Sequence, residues 1–113
     1  MSSKTKMFRA FVEEQLEGIR ELRIHPMFGG FGLYSGELFF GIINEDRLFL
    51  KTTKHTAARY VEVGMSHFVS KSGRALKRYY QVPIPVLERK EELGDWVREA
   101  VAVRVPGEPA PRI

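Results

Sequence analysis

Leu38-Phe39-Phe40-Gly41-Ile42-Ile43-Asn44-Glu45-Asp46-Arg47-Leu48-Phe49-Leu50-Lys51 is the stretch that decides the fold. Its first run, Leu38 to Ile43, is almost continuously apolar, as in a central strand covered on both faces or a strand at a tight packing contact. Asn44-Glu45-Asp46 is a break of hairpin length. In Arg47 to Lys51, Leu48 and Leu50 point opposite to Phe49, because successive strand side chains alternate. Upstream, Phe31 to Tyr34 reads as another strand, closed by Ser35-Gly36. Three strands joined by short turns predict an antiparallel meander.

Immediately before that meander stands Met27-Phe28-Gly29-Gly30-Phe31-Gly32-Leu33-Tyr34. Glycine lacks a Cβ, so it reaches backbone angles closed to other residues and lets a backbone or ligand come near. The segment reads as a strand-leading turn or bulge in which a neighbour approaches closely. The alternative is an anion-binding nest of backbone N–H groups. It lacks the Lys and the helix-opening position of the phosphate-loop and dinucleotide fingerprints. Further upstream, Pro26 keeps His25 out of helical conformation and predicts an extended approach. Phe8, Phe11, Val12, Leu16 and Ile19 recur at three- and four-residue steps, with Glu13, Glu14, Glu17 and Arg20 on the other face, predicting an amphipathic helix from Phe8.

Downstream, Thr53 caps a second helix through about Val63, with Ala57, Ala58 and Val61 as a thin stripe and Gly64 as its stop. His67 to Val69 and Leu76 to Gln81 read as strands around a Lys71-Ser72-Gly73-Arg74 turn. Pro83 and Pro85 end the second of them. Lys90 to Ala102 is the last helix, with Leu93, Trp96, Val97, Ala100 and Val101 on one face. Glu91 and Glu92 lie in its first turn, where the helix dipole favours negative charge. The order α-β-β-β-α-β-β-α predicts a two-layer α+β fold with an antiparallel sheet of about five strands. One domain over residues 7–103 is expected, with flexible segments at 1–6 and at the proline-rich 104–113.

The chain has 113 residues, 43% of them hydrophobic and 12% aromatic, enough for a packed core. Without cysteine, disulfides and thiolate metal sites are excluded. No apolar run reaches the ~18 residues of a membrane span, and no signal core follows the N-terminus, which points to the cytoplasm. The formal charge of +4 fits ordinary solubility, for which a magnitude of ~2–8 is usual. An anionic partner is the alternative reading.

No catalytic, metal-binding or cofactor-binding set is assigned. His25, His55 and His67 share no metal-ligand spacing. Ser35, Ser66, Ser70 and Ser72 lack a nucleophile elbow. Glu13, Glu17, Glu91 and Glu92 sit on helix faces expected to be solvated, so no acid–base pair emerges. Trp96 is expected to pack the last helix. Lys71, Arg74, Lys77 and Arg78 run into Tyr79 and Tyr80. Such cations neutralise phosphates, and exposed tyrosines stack on bases. Tyr79 and Tyr80 point to opposite sheet faces, however, so at least one belongs to the core. Positive charge on an edge hairpin also blocks strand-to-strand aggregation.

Four segments together resemble the N-terminal domain of the TfoX (Sxy) competence-regulator family. They are Met27 to Tyr34, Arg47 to Lys51, Tyr79-Tyr80-Gln81-Val82-Pro83 and Leu93-Gly94-Asp95-Trp96-Val97. Their order and spacing agree over about residues 8–102. The residues that carry the resemblance are Met27, Phe28, Gly29, Gly30, Gly32, Tyr80, Pro83 and Trp96, all read as structural. The resemblance implies a secretion-chaperone-like layout and a connection to transcriptional regulation of natural transformation. Longer members continue into a second, C-terminal domain, so a stand-alone N-terminal domain is expected. The expectation is a non-enzymatic regulatory module with a protein partner and no cofactor. Direct nucleic-acid binding through Lys71 to Arg78 is the alternative, and the two sheet edges leave a homodimer open.

Overall fold

The structure, a computed structural model, describes residues 3–27 and 29–103. Phe28 and the expected tail at 104–113 lie outside the described residues. The elements run α1 (Ser3–Gln15), β1 (Leu22–Met27), β2 (Gly30–Ser35), β3 (Leu38–Asn44), β4 (Arg47–Lys51), α2 (Lys54–Glu62), β5 (His67–Val69), β6 (Ala75–Gln81), α3 (Ile84–Leu87) and α4 (Lys90–Ala102). The strands form one open sheet in the order β1-β2-β3-β4-β6-β5, and every neighbouring pair is antiparallel. The fold is α+β, and no described helix is long and apolar enough to cross a membrane.

Most elements form where the sequence predicts them. Thr53 caps α2 by accepting from the Thr56 backbone N–H, while the Thr56 side chain reaches back to the Thr53 N–H in a capping box. Asn44 pairs with Arg47 across Glu45 and Asp46, whose φ values of 51° and 58° are those of a type I′ hairpin.

Three features differ from expectation. The sheet has six strands rather than five, because Leu22 to Met27 pairs along its whole length with β2. Leu22 and Ile24 are half-buried and alternate with exposed Arg23 and His25, a period-two pattern that Pro26 obscures in the sequence. Proline is tolerated there because β1 is an edge strand, whose outer side has no ladder to donate to. Pro83 and Pro85 end β6 but also begin α3, as N-cap and first-turn residues whose fixed φ suits a helix start. Helix α1 begins at Ser3, ahead of the apolar pattern that starts at Phe8.

The core divides by sheet face. Val12 and Leu16 from the α1 end, Tyr60 from α2, Val86 and Leu87 from α3, and Leu93, Trp96, Val97 and Ala100 from α4 pack with Phe31, Leu33, Phe40, Leu48 and Leu50. All helices therefore cover one face. The other face buries Met27, Phe39, Ile42, Phe49, Phe68 and Tyr79, which come from strands alone. A bulge explains how β3 serves both. Leu33 pairs with Gly41 and Tyr34 with Phe39, so Phe40 has no partner on β2. Phe40 and Gly41 thus fall on the same, helix-covered side, while Phe39 and Ile42 fall on the other. A Cβ on Gly41 would lie 2.9 Å from the Phe49 carbonyl oxygen, so glycine lets β4 come this close.

The strand-only face is covered by the β5–β6 hairpin. Along β6, Lys77, Arg78 and Tyr79 have no partner on β5, because the register jumps from His67↔Tyr80 to Phe68↔Leu76. These residues face β4 instead: Lys51 pairs with Tyr79, and the Thr52 N–H donates to the Arg78 carbonyl at 2.7 Å. The strand bends there. Lys71 at the hairpin tip thereby reaches Glu45 in the β3–β4 turn, 3.7 Å away, at the far end of β4.

Candidate functional site

The glycine segment resolves into packing. Gly29 adopts φ 77° in the β1–β2 turn. A Cβ on Gly30 would lie 2.0 Å from the Ile43 carbonyl oxygen, so only glycine allows β3 this close. A Cβ on Gly32 would lie 2.5 Å from the Met27 sulfur and 3.1 Å from the Phe39 ring. The dimple over Gly32 is thus filled by Met27 and Phe39. The turn leads into β2: Gly29 supplies its positive φ, and Gly30 and Gly32 serve close backbone and side-chain contact.

Trp96 and Tyr80 are packed in an aromatic stack, and Pro83 is the N-cap of α3. The Trp96 indole lies edge-to-face with Tyr60 at 4.8 Å, Tyr60 lies 5.8 Å from Tyr80, and Tyr80 lies 6.2 Å from His67. Arg59 stacks 3.8 Å above the indole and is held there by Glu99 through bonds of 2.6 and 3.4 Å. This bracket ties α2 to α4 across forty residues of sequence. Burial pushes the Tyr60 hydroxyl far above the ordinary phenol range, with the Arg59 charge pulling the other way. The phenol therefore stays neutral.

In the basic hairpin, Lys71, Arg74, Lys77 and Arg78 are all exposed. Lys71 is ion-paired with Glu45. The expected pair of tyrosines splits between faces: Tyr79 is buried against Phe39, with ring centroids 5.2 Å apart, and Tyr80 is half-buried under Tyr60. The structure brings the four cations to one hairpin but gives neither tyrosine as an open stacking surface.

The histidines stay apart: His25 is on edge strand β1, His55 is exposed in the first turn of α2, and His67 packs on Tyr80. Among the described residues no group of three or more His, Cys, Asp or Glu is placed to hold a metal ion. Two clefts exist. One, of about 460 Å³, lies between the end of α1 and α4, with Ile19, Gly94 and Arg98 in its wall. Two of its charges are met by neighbours: Lys90 bonds Glu17, and Arg98 donates to Asp95 at 2.6 Å. The other, of about 300 Å³, is lined by Arg23, His25, Tyr34 and Glu37 on the strand-only face.

The outer side of α1 differs from these. Val12 and Leu16 are buried, and Phe8 and Ile19 pack against them from the rim. Phe11, expected in the same stripe, remains 38% exposed, and Met7 is 71% exposed. With 3.6 residues per turn, Met7, Ala10 and Glu14 form a line opposite Val12 and Leu16, and Phe11 flanks it. Arg9 holds the inner side, stacking 5.0 Å from the Phe31 ring. The sequence pattern counts Phe11 as core because it follows Phe8 by three. The helix axis turns it outward instead. Met7 carried a usable signal, standing apolar at four residues before Phe11.

Residues 14–103 of the 113 match the family model described as TfoX N-terminal domain. No curated protein matches the chain.

Proposed function

The chain belongs to the TfoX N-terminal domain family, and on that premise we propose that it is a non-enzymatic regulatory module that acts in the cytoplasm by binding a protein. The family supports a competence- or transcription-regulator-like role. The observation that carries the protein-binding reading is the outer face of α1, where Met7 and Phe11 stand exposed on adjacent turns. A thioether and an aromatic ring side by side on a charged helix are the composition of a docking patch, because Met adapts its shape and Phe fills a pocket. Capture experiments with the full chain, wild type against the Met7→Lys/Phe11→Lys pair, test it. A specific partner that is retained by the wild type and lost by the variant is expected. Equal capture by both would overturn the reading.

The exposure of Lys71, Arg74, Lys77 and Arg78 on one hairpin favours a second reading, direct nucleic-acid contact. The contact would be to phosphates, since Tyr79 is buried. Fluorescence anisotropy with single-stranded and duplex probes separates the two readings. Phosphate contact requires affinity that falls steeply with salt and disappears when the four cations become alanine.

A further inference from the structure

Helix α1 carries its charges the wrong way round for a helix standing alone. Lys4 and Lys6 lie in its first turn and Glu13 and Glu14 in its last, with no acid in the first turn and no base in the last. The peptide dipole makes the N-terminus positive and the C-terminus negative, so each charge sits at its like pole. Helix α4 carries Glu91 and Glu92 in its first turn, while α2 mixes signs, opening on Lys54 and closing with Arg59 and Glu62. In α1 the two ends carry opposite signs, basic at the start and acidic at the close. Between its two charged ends lie the exposed Met7, Ala10 and Phe11.

We propose that this face docks on the same face of a second copy of the chain, the two α1 helices running antiparallel across a twofold axis near Ala10. The inference rests on the reading of α1 as a docking surface and names its occupant. A twofold interface must be complementary to itself. A stripe that is basic at one end, apolar in the middle and acidic at the other meets that condition only antiparallel; parallel pairing would set lysine against lysine. Lys6 and Glu13 are seven residues apart, hence on one flank of the helix. Antiparallel packing brings like flanks together, so Lys6 of each copy meets Glu13 of the other, twice per dimer. Met7 and Phe11 then meet across the axis. Each helix also places its lysines at the negative dipole end of the other, which relieves the conflict within the isolated helix. Lys4 already pairs with Asp46 at 3.6 Å and Glu17 with Lys90, so the specificity rests on Lys6, Glu13 and Glu14.

A 13-residue helix offers a narrow stripe, well below the ~1,200–2,000 Å² of a standard stable interface, so the dimer is weak and reversible. The test is sedimentation velocity on the full chain from about 10 µM to about 1 mM, the range in which such small interfaces associate. A monomer–dimer equilibrium that weakens with salt is expected. Lys6→Glu and Glu13→Lys should each raise the dissociation constant by about tenfold or more, since each turns two attractions into repulsions. An equimolar mixture of the two variants should recover a heterodimer of wild-type strength. Circular dichroism and thermal midpoints near wild type identify these as surface effects. A chain monomeric throughout, a dimer indifferent to both reversals, or a mixture that does not recover would each overturn the inference. A monomeric chain whose Met7→Lys/Phe11→Lys variant loses a different protein partner would overturn the inference and leave the protein-binding reading standing.

Discussion

On one face of the sheet, side chains from α1, α2, α3 and α4 close over Phe31, Leu33, Phe40, Leu48 and Leu50. On the other, Phe39, Ile42, Phe49, Phe68 and Tyr79 close over one another. The first face is sealed by elements far apart in the chain, and its rim is fastened by the Arg59–Glu99 pair over Trp96. The second is sealed by a single hairpin that bends back from its own sheet, and its tip is fastened by the exposed Lys71–Glu45 pair. Both faces reach near-complete burial, but they do not share load in the same way. Removing a side chain from the helix face disturbs several elements at once. On the strand-only face, removing a side chain of the hairpin is expected to loosen chiefly that hairpin. A sheet with helices on one side is expected to leave its other side to water, and here aromatic bulk and strand curvature take the place of a second helical layer.

The largest effect that would break this comparison is expected from Trp96→Ala. It removes the indole that supports both Tyr60 and Arg59, and it should lower stability by about 4–5 kcal/mol in urea titration, near the top of the range for buried aromatics. Amide protection should fall across all elements together. A loss under about 1 kcal/mol would show that Trp96 is peripheral to the helix face.

Phe68→Ala comes next, at about 3 kcal/mol. Phe68 is fully buried and packs edge-to-face on Phe49 at 5.1 Å. Its hydrogen-exchange signature sharpens the comparison: residues 66–79 should exchange faster, while α4 and β3 keep their protection. Uniform acceleration would mean that the two faces unfold as one unit.

The smallest effect is expected from Lys71→Ala. Lys71 is 88% exposed at its side chain, and exposed ion pairs contribute about 0–1 kcal/mol. Thermal midpoints at low and high salt should differ less for the variant than for the wild type, because the pair it lacks is the part that salt screens. A destabilisation well above that range would make the latch, rather than the aromatic stack, what holds the hairpin down.

How far the sequence reaches depends on whether the signal is local. Thr53 and Thr56 sit three residues apart and cap α2 by themselves. Glu91 and Glu92 open α4, and its apolar spacing places Leu93, Trp96, Val97 and Ala100 inward. Leu48 and Leu50 alternate with Phe49, and the structure keeps them on opposite faces. Strand β1 is legible in sequence only as an extended approach around Pro26, and only the edge position, a property of the whole sheet, makes proline harmless in a paired strand. Helix α3 was hidden because its two prolines end one element and begin another within a single turn.

The sequence by itself determined the periodicities: which residues turn helical, which alternate, where glycine permits a turn, and that the set of segments belongs to one family. These follow from interactions within a few residues. Tertiary structure alone decided that Gly32 is filled by Met27 and Phe39, that Tyr79 is buried while the cations around it stay exposed, and that Phe11 and Met7 face outward. Each of these depends on which distant element arrives at a face and at what angle. That is settled by packing shape and by the bend in β6, and of these outcomes only the Met7–Phe11 spacing leaves a local trace.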